Sequence, residues 1–343
     1  MHTQADVIKQ FILKKITDHP VDIVAIAAKK FNVTRTTIHR HLTYLIQQGL
    51  ILKSGTTRNV KYAAKSSMDR HMSYIIKPKL SEFEVLQHDF QDIFQQFSEN
   101  MNDVCVYGFT EIFNNAIEHS KGSEIHVTTR YDDDQLSISI QDDGMGIFKN
   151  IYDYFQLSDP RESVFQLTKG KMTTDPTHHT GEGIFFASRA FDYFEVYANN
   201  LHYFRDNLEG DWALETVDMK KLGSTVCMTI KKNASIHLVE LFKRYQDPDS
   251  LAFNRTEIIV ALSRFGNEPF ISRSQAKRVT VGLDKFQQIT LDFSGVRLVG
   301  QGFVDELFRV FSNANPTIII DYINANGDVT FMIKRGLATA SAH

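Results

Sequence analysis

The sequence predicts a multidomain α+β protein, and three observations carry that prediction. Its 343 residues suit two or three domains. Hydrophobic periodicity changes along the chain, from helical spacing to alternating strands joined by helices, and then to a further strand and helix series. Charge is unevenly divided: residues 1–75 hold twelve Lys and Arg against four Asp, a net of +8, so the rest carries −11 of the overall −3. A basic head on an acidic body fits a head that meets a polyanion. At 42% hydrophobic and 23% charged residues the chain is neither disordered nor fibrous. Two cysteines, Cys105 and Cys227, exclude a disulfide framework and a Cys-rich zinc module. No run approaches the ~18–20 apolar residues of a membrane span, and the N-terminus lacks a signal-peptide pattern, so the cytoplasm is expected and a membrane partner is not.

In residues 4–17, Val7, Ile8, Phe11, Ile12 and Ile16 recur at helical spacing, with lysines opposite. A second helix is expected at 22–30, with Asp22 as its cap. Phe31-Asn32-Val33 then turns the chain. Thr34 caps a third helix in which Val33, Ile38, Leu42, Leu45 and Ile46 form the apolar stripe, ending at Gly49. That leaves Arg35, Thr36, Thr37, His39 and Arg40 outward. The run after Gly49 reads as strand, turn and strand, with Ser54-Gly55-Thr56-Thr57 at the tip and Lys53, Arg58 and Lys61 flanking it. The pattern resembles the winged helix-turn-helix of bacterial transcription regulators over about residues 4–64, within a domain of 1–65. The resemblance implies double-stranded DNA as partner. The helix residues would face base edges, and Arg58 and Lys61 would meet phosphates. A merely solvated charged face, or a winged helix that contacts protein, is the alternative. Residues 66–80 lose the period and contain Lys77-Pro78, which reads as a linker.

The central segment opens with a helix at 82–99, followed by another from about Asp103 to Ser120. The second carries Glu111 and Asn115 one turn apart on one face, while Ile112, Phe113, Ala116 and Ile117 can turn inward. A carboxylate and an amide stacked in this way suit a magnesium nucleotide. Strands at 124–130 and 135–141 lead into Asp142-Asp143-Gly144-Met145-Gly146. There the glycines allow a tight turn, and Asp142 can accept from an exocyclic amine. Gly181 and Gly183 open a further helix, so backbone N–H groups and a positive dipole end face outward. Gly223-Ser224-Thr225 enters a late strand.

In this order and spacing the blocks resemble the N, G1 and G2 boxes of the GHKL ATPase superfamily: gyrase B, the Hsp90 chaperones, MutL and histidine kinases. The resemblance spans roughly 82–232, within a domain of 81–232. It implies an α/β sandwich, the Bergerat fold, with helices on one face of a mixed sheet and with ATP and Mg²⁺ as cofactors. By position, Glu111 is the hydrolytic base, Asn115 the Mg²⁺ ligand and Asp142 the adenine contact. Gly144 and Gly146 form the nucleotide turn, and Gly181 and Gly183 the phosphate loop. Thr225 matches the late hydroxyl element. Residues 160–180 fall where the family has an ATP lid. This makes Lys169 and Lys171 candidate phosphate contacts, with solvated loop lysines as the alternative. A carboxylate at position 111 fits the hydrolysing members and the anti-sigma serine kinases, whereas histidine kinases usually place Asn there. His88-Asp89 is the one hint of a phosphoacceptor, without dimerisation sequence around it. The adjacent His178 and His179 lack further metal ligands.

From 233 onward strands around Ile289–Phe293 and Ile318–Ile320 alternate with a helix opened by Gly300-Gln301-Gly302 and a terminal helix capped at Asn324 or Asn326. The phrase LDFSGVRLVGQGFVDELFRVF resembles STAS domains of anti-anti-sigma factors, specifically the STAS-like domain appended to GHKL ATPases. The resemblance implies a protein partner. The stretch Gly300-Gln301-Gly302 has no hydroxyl where ordinary STAS domains are phosphorylated. The expected whole is an ATP-binding, slowly hydrolysing, DNA-binding regulator, with homodimerisation in keeping. An anti-sigma-type serine/threonine kinase and an inactive nucleotide-sensing adaptor are the alternatives.

Overall fold

The computed structural model describes residues 4–16, 18–47, 50–56, 59–64, 68–132, 134–171, 181–219, 222–263 and 269–340. The chain divides into two compact units, Met1–Arg70 and His71–His343.

In the first unit, α1 (Gln4–Lys15), α2 (Ile23–Phe31) and α3 (Arg35–Gln47) precede a two-stranded antiparallel ladder, β1 (Ile51–Ser54) with β2 (Lys61–Ala64). Its core takes Ile8, Ile12, Ile16, Ile38, Leu42 and Leu45 from the periodic set read from the sequence and adds Ile23 and Ala27 of α2, closed by Ile51 and Tyr62 from the ladder, while Val7 is exposed. Asn32 adopts the left-handed conformation that ends α2, φ 51°. Thr34 begins α3 by accepting from the Thr37 backbone N–H at 3.2 Å. Asp22 does not cap α2; its side chain makes no capping bond and lies 3.3 Å from His19 instead.

β3 (Arg70–Ile75) carries the chain from the last residue of the first unit into the second, where a linker was expected. β3 is the edge strand of a seven-stranded sheet, and its exposure alternates, with His71, Ser73 and Ile75 on the exposed face. Then come α4 (Glu82–Val85), a π turn over Leu86–Phe90, α5 (Gln91–Phe94) and the long α6 (Glu99–His119). The helix expected over 82–99 thus stops at Phe94. After β4 (Glu124–Asp132) and β5 (Gln135–Asp142) the chain forms α7 (Ile147–Phe155), α8 (Pro160–Lys169), α9 (Gly183–Ala190), β6 (Tyr193–Ala198), β7 (Leu201–Asp206), β8 (Asp211–Thr216) and β9 (Ser224–Lys231). The sheet order is β3-β4-β5-β9-β6-β7-β8, and the ladders from β4 to β8 are antiparallel, where a mixed sheet was expected. One face is apolar, with Ile125, Val127, Ile138, Ile140, Val226, Met228, Phe194 and Val196 buried. α6 lies close to that face because residue 108 is glycine: a Cβ there would stand 2.3 Å from the Phe191 ring.

The C-terminal part consists of α10 (Leu238–Tyr245), β10 (Arg255–Ile259), α11 (Arg273–Thr280), β11 (Gln288–Asp292), α12 (Gln301–Asp305), a π segment, α13 (Ser312–Ala314), β12 (Ile319–Ile323) and α14 (Gly327–Ala340). β10, β11 and β12 form a parallel sheet in that order, the topology that helical crossovers impose. Asn326 caps α14 through the Val329 N–H at 2.9 Å, so Asn326-Gly327 starts a helix rather than a hairpin.

Candidate functional site: a cavity between α6, β5, β9 and α9

α6 carries Glu111 and Asn115 one turn apart while Ile112 and Phe113 are buried beneath them, so the amphipathic period of the helix aims both polar groups away from the sheet. They line a cavity of about 140 Å³ together with His119 and Ser120 from the end of α6, Ile140 and Asp142 from β5, Asn150 and Ile151 from α7, and Ser224 and Val226 from β9. Gly181, Glu182, Gly183 and Ile184 close its remaining side at the start of α9.

Asp142 is buried at the end of β5. One oxygen accepts from the backbone N–H groups of Gly144 (2.9 Å) and Ser224 (3.2 Å). Burial raises its carboxyl above the ordinary value, while these hydrogen bonds oppose the shift. The neighbouring Asp143 is a structural group. It accepts from Ser123 N–H at 2.6 Å and Glu124 N–H at 2.9 Å, and its carboxyl is held low by the Ser123 side chain first. The turn is tight for a steric reason: a Cβ on Gly144 would stand 2.0 Å from the Ser120 carbonyl oxygen. Gly146 has φ 86°, and a Cβ there would meet the Asn199 side chain, which bridges the Lys149 N–H and the Met145 carbonyl. Gly144 and Gly146 therefore shape the turn from behind.

Glu111 has its proton affinity raised, by burial first and by the nearby Glu182 second. Burial also pushes the Tyr107 hydroxyl up, and both carboxylates reinforce that shift. A Cβ on Gly183 would stand 2.0 Å from Glu111 Oε2, so a larger residue at 183 would have to displace the Glu111 carboxylate. Glu182, at the N-cap of α9, makes no capping bond with its side chain. The lining combines the oxygen donors Glu111, Asn115, Asp142 and Ser224 with the apolar Ile140, Ile147, Ile151 and Val226. Such a site fits a magnesium-bound phosphate chain joined to a flat base.

Two expected positions, Thr225 and Lys169, are corrected, and Lys171 is tied to the C-terminal part. Along β9, Ser224 and Val226 face the buried side and Thr225 the other, because side chains alternate on a strand; the cavity hydroxyl is Ser224, and it accepts from the Ile147 N–H at 2.9 Å. Lys169 is fully buried at the end of α8, away from the cavity, with its ammonium donating to the carbonyls of Arg278 (3.2 Å) and Val281 (2.8 Å). Lys171 donates to the Lys285 carbonyl at 2.8 Å. Residues 160–169, expected to belong to a lid, are instead a helix whose residues from Glu162 to Lys169 are buried; residues 172–180, with His178 and His179, lie outside the described residues. Ser224, Glu182 and Asn150, which donates to the His119 carbonyl at 3.2 Å, were missed. For Ser224 the strand alternation was a usable signal.

In the first unit, Arg35, Thr36, His39 and Arg40 are exposed on α3, Thr37 is half-buried against Thr34, and Lys61 is exposed on β2. Arg58 lies outside the described residues. Among the described residues no His, Cys, Asp and Glu cluster could hold a metal, and no helix is long and apolar enough to cross a membrane.

Comparison with known families assigns two stretches. Residues 106–193 match the model for histidine kinase-, DNA gyrase B- and HSP90-like ATPases, and residues 275–330 match that of a STAS-like domain of unknown function. The first stretch contains Glu111, Asn115, Asp142 and the loop glycines and stops before Ser224. No curated protein matches the chain.

Proposed function

Because the chain carries a histidine kinase-, gyrase B- and HSP90-like ATPase domain ahead of a STAS-like domain, we propose that it is a nucleotide-switched regulator. The central domain binds ATP and hydrolyses it slowly, the N-terminal unit binds double-stranded DNA, and the STAS-like domain meets a protein partner. The observation that carries this reading is the convergence of Glu111, Asn115, Asp142, Gly181 and Gly183 on one cavity.

The division of labour follows from the donor types. Asp142 accepts from the exocyclic amine of adenine and thereby disfavours a base that offers a carbonyl there. The backbone around Gly181 and Gly183 and the N-terminal end of α9 present N–H groups to phosphate oxygens. Asn115 supplies an amide oxygen to Mg²⁺, which when bound neutralises phosphate charge. Glu111 orients a water and takes its proton; its raised proton affinity suits it to that task. On α3, Arg35, Thr36, Thr37, His39 and Arg40 face base edges, while Lys61 and Arg58 meet phosphates, and a pair of copies reads two half-sites. The cytoplasm is the compartment in which such a regulator meets DNA.

Phosphate release from γ-labelled ATP with Mg²⁺ tests the reading, with the same reaction run on a gel for labelled protein. Release by the wild type, lost in Glu111→Ala while ATP binding survives, is the expected result. Label on protein would instead mean phosphoryl transfer to a hydroxyl. Binding with neither release nor label would remove the role given to Glu111.

A further inference from the structure

α9 has two sets of neighbours. Glu182, Gly183 and Ile184 line the cavity. The next two residues turn into an aromatic cluster built by the chain that leads into the C-terminal fold. Phe185 lies 4.9 Å from Tyr245 and 4.8 Å from Phe253, and Phe186 lies 4.8 Å from Phe242 and 5.0 Å from Phe253. The buried Arg189 guanidinium stacks on Phe185 at 3.6 Å. Phe253 in turn meets Phe286, between α11 and β11, edge-on at 5.4 Å.

α8 ends in the same seam. The Lys169 ammonium sits on the Arg278 and Val281 carbonyls at the C-terminal end of α11, where the helix dipole favours a cation. The Lys169 carbonyl accepts from Thr256 Oγ1 of β10 at 2.7 Å. Lys171 and Lys285 exchange ammonium-to-carbonyl bonds at 2.8 and 3.4 Å. Between the two lysines Gly170 has φ 77°, and a Cβ there would stand 2.7 Å from the Phe253 ring and 2.9 Å from that of Phe185. The Lys169 and aromatic contacts are buried and closely packed, and the Lys171–Lys285 pair lies at the exposed edge, so displacing the C-terminal fold would leave Lys169 without its acceptors and open a void beside α9.

Resting on the reading that the cavity takes ATP, we infer that the STAS-like domain positions the phosphate loop: Lys169 and Phe253 are positioning residues through which its docking on α8 and α9 sets the affinity of the site for ATP. Neither residue lines the cavity. Their effect runs through α9, one short rigid helix with Gly183 at one end and Phe185, Phe186 and Arg189 along its length. Linkage makes the coupling reciprocal: nucleotide that favours the docked loop must also tighten the seam.

The test uses the full chain as wild type, Lys169→Met, Phe253→Ala and Lys285→Ala. Two quantities are read: the affinity for a fluorescent ATP analogue with Mg²⁺, and hydrogen exchange over Arg273–Thr280 with and without ATP. The expected result is affinity weakened about tenfold in the first two variants and less in the third, within the usual range of coupling between sites. ATP also slows exchange in α11 of the wild type more than in the variants. A merely structural role would lower the melting temperature without moving the nucleotide-dependent exchange. Folded variants that bind as the wild type does, or an α11 indifferent to ATP in the wild type, would overturn the inference. Lys285 is exposed, so its variant carries the comparison if the buried ones do not fold: unchanged affinity together with unchanged protection of α11 then overturns it. A wild type that binds no ATP overturns the proposed function itself, and is distinguished by failing before any variant is compared.

Discussion

At the scale of single residues, the cavity separates look-alike neighbours. Asp142 and Asp143 are adjacent carboxylates with opposite shifts, because one is buried in the cavity wall and the other is tied to Ser123 and Glu124. Asp142→Asn is therefore expected to weaken ATP binding by roughly 1–3 kcal/mol, the cost of disturbing a buried hydrogen-bonded group. Asp143→Asn should show itself as a lowered melting temperature instead. Ser224→Ala should weaken nucleotide binding where Thr225→Ala leaves it unchanged, measured by titration with a fluorescent analogue. Glu111 must be deprotonated to accept a proton from water. Its affinity for that proton is raised above the ordinary carboxyl value of 4.5, so hydrolysis should fall as pH falls through a point above 4.5. Glu182→Gln removes the like charge and should move that limb to lower pH. The residue types of the site and their helical or loop setting were legible in the sequence. Ser224 and Thr225 are adjacent hydroxyls, and only the register of β9 in the sheet sets which of them faces the cavity.

At the scale of elements, caps and close approaches decide. Thr34→Ala should destabilise the N-terminal unit by about 1 kcal/mol through its lost cap, whereas Asp22→Ala should do little, since Asp22 makes no capping bond. Gly108→Ala forces a methyl into the Phe191 ring and should cost about 1–3 kcal/mol in thermal or chemical unfolding. Burial pulls the Lys169 ammonium from 10.5 down to about 7. Over the window between those values the unfolded chain binds the extra proton, so stability should fall as pH drops from 10.5 towards about 7 and level off below that. Lys169→Met should flatten that dependence in melting curves. α1, α3, α6 and the strands β4 and β5 were legible because their apolar period is strong. β3 was not, since Lys-Pro after it reads as a linker, and its partner strand lies some fifty residues downstream. Lys169 was misplaced for a related reason: only the tertiary seam gives its ammonium acceptors.

At the scale of the whole molecule, net positive charge is concentrated in the first unit, so the DNA binding proposed for it should weaken steeply with salt. Arg40→Ala should alter preference among sequences, and Lys61→Ala should weaken all sequences alike and reduce the salt slope by about one, both read by a shift assay at several salt concentrations. The sheet order carries a consequence of a different kind. β9, the last of the seven strands to be made, lies between β5 and β6 and brings Ser224 and Val226 to the cavity. During translation β5 and β6 therefore lack their shared partner strand until the ribosome has released Lys231. Unpaired strand edges are where a chain is exposed to mispairing. A message truncated ahead of Ser224 should yield an aggregation-prone product with no nucleotide site, although it retains every glycine and carboxylate of the three boxes.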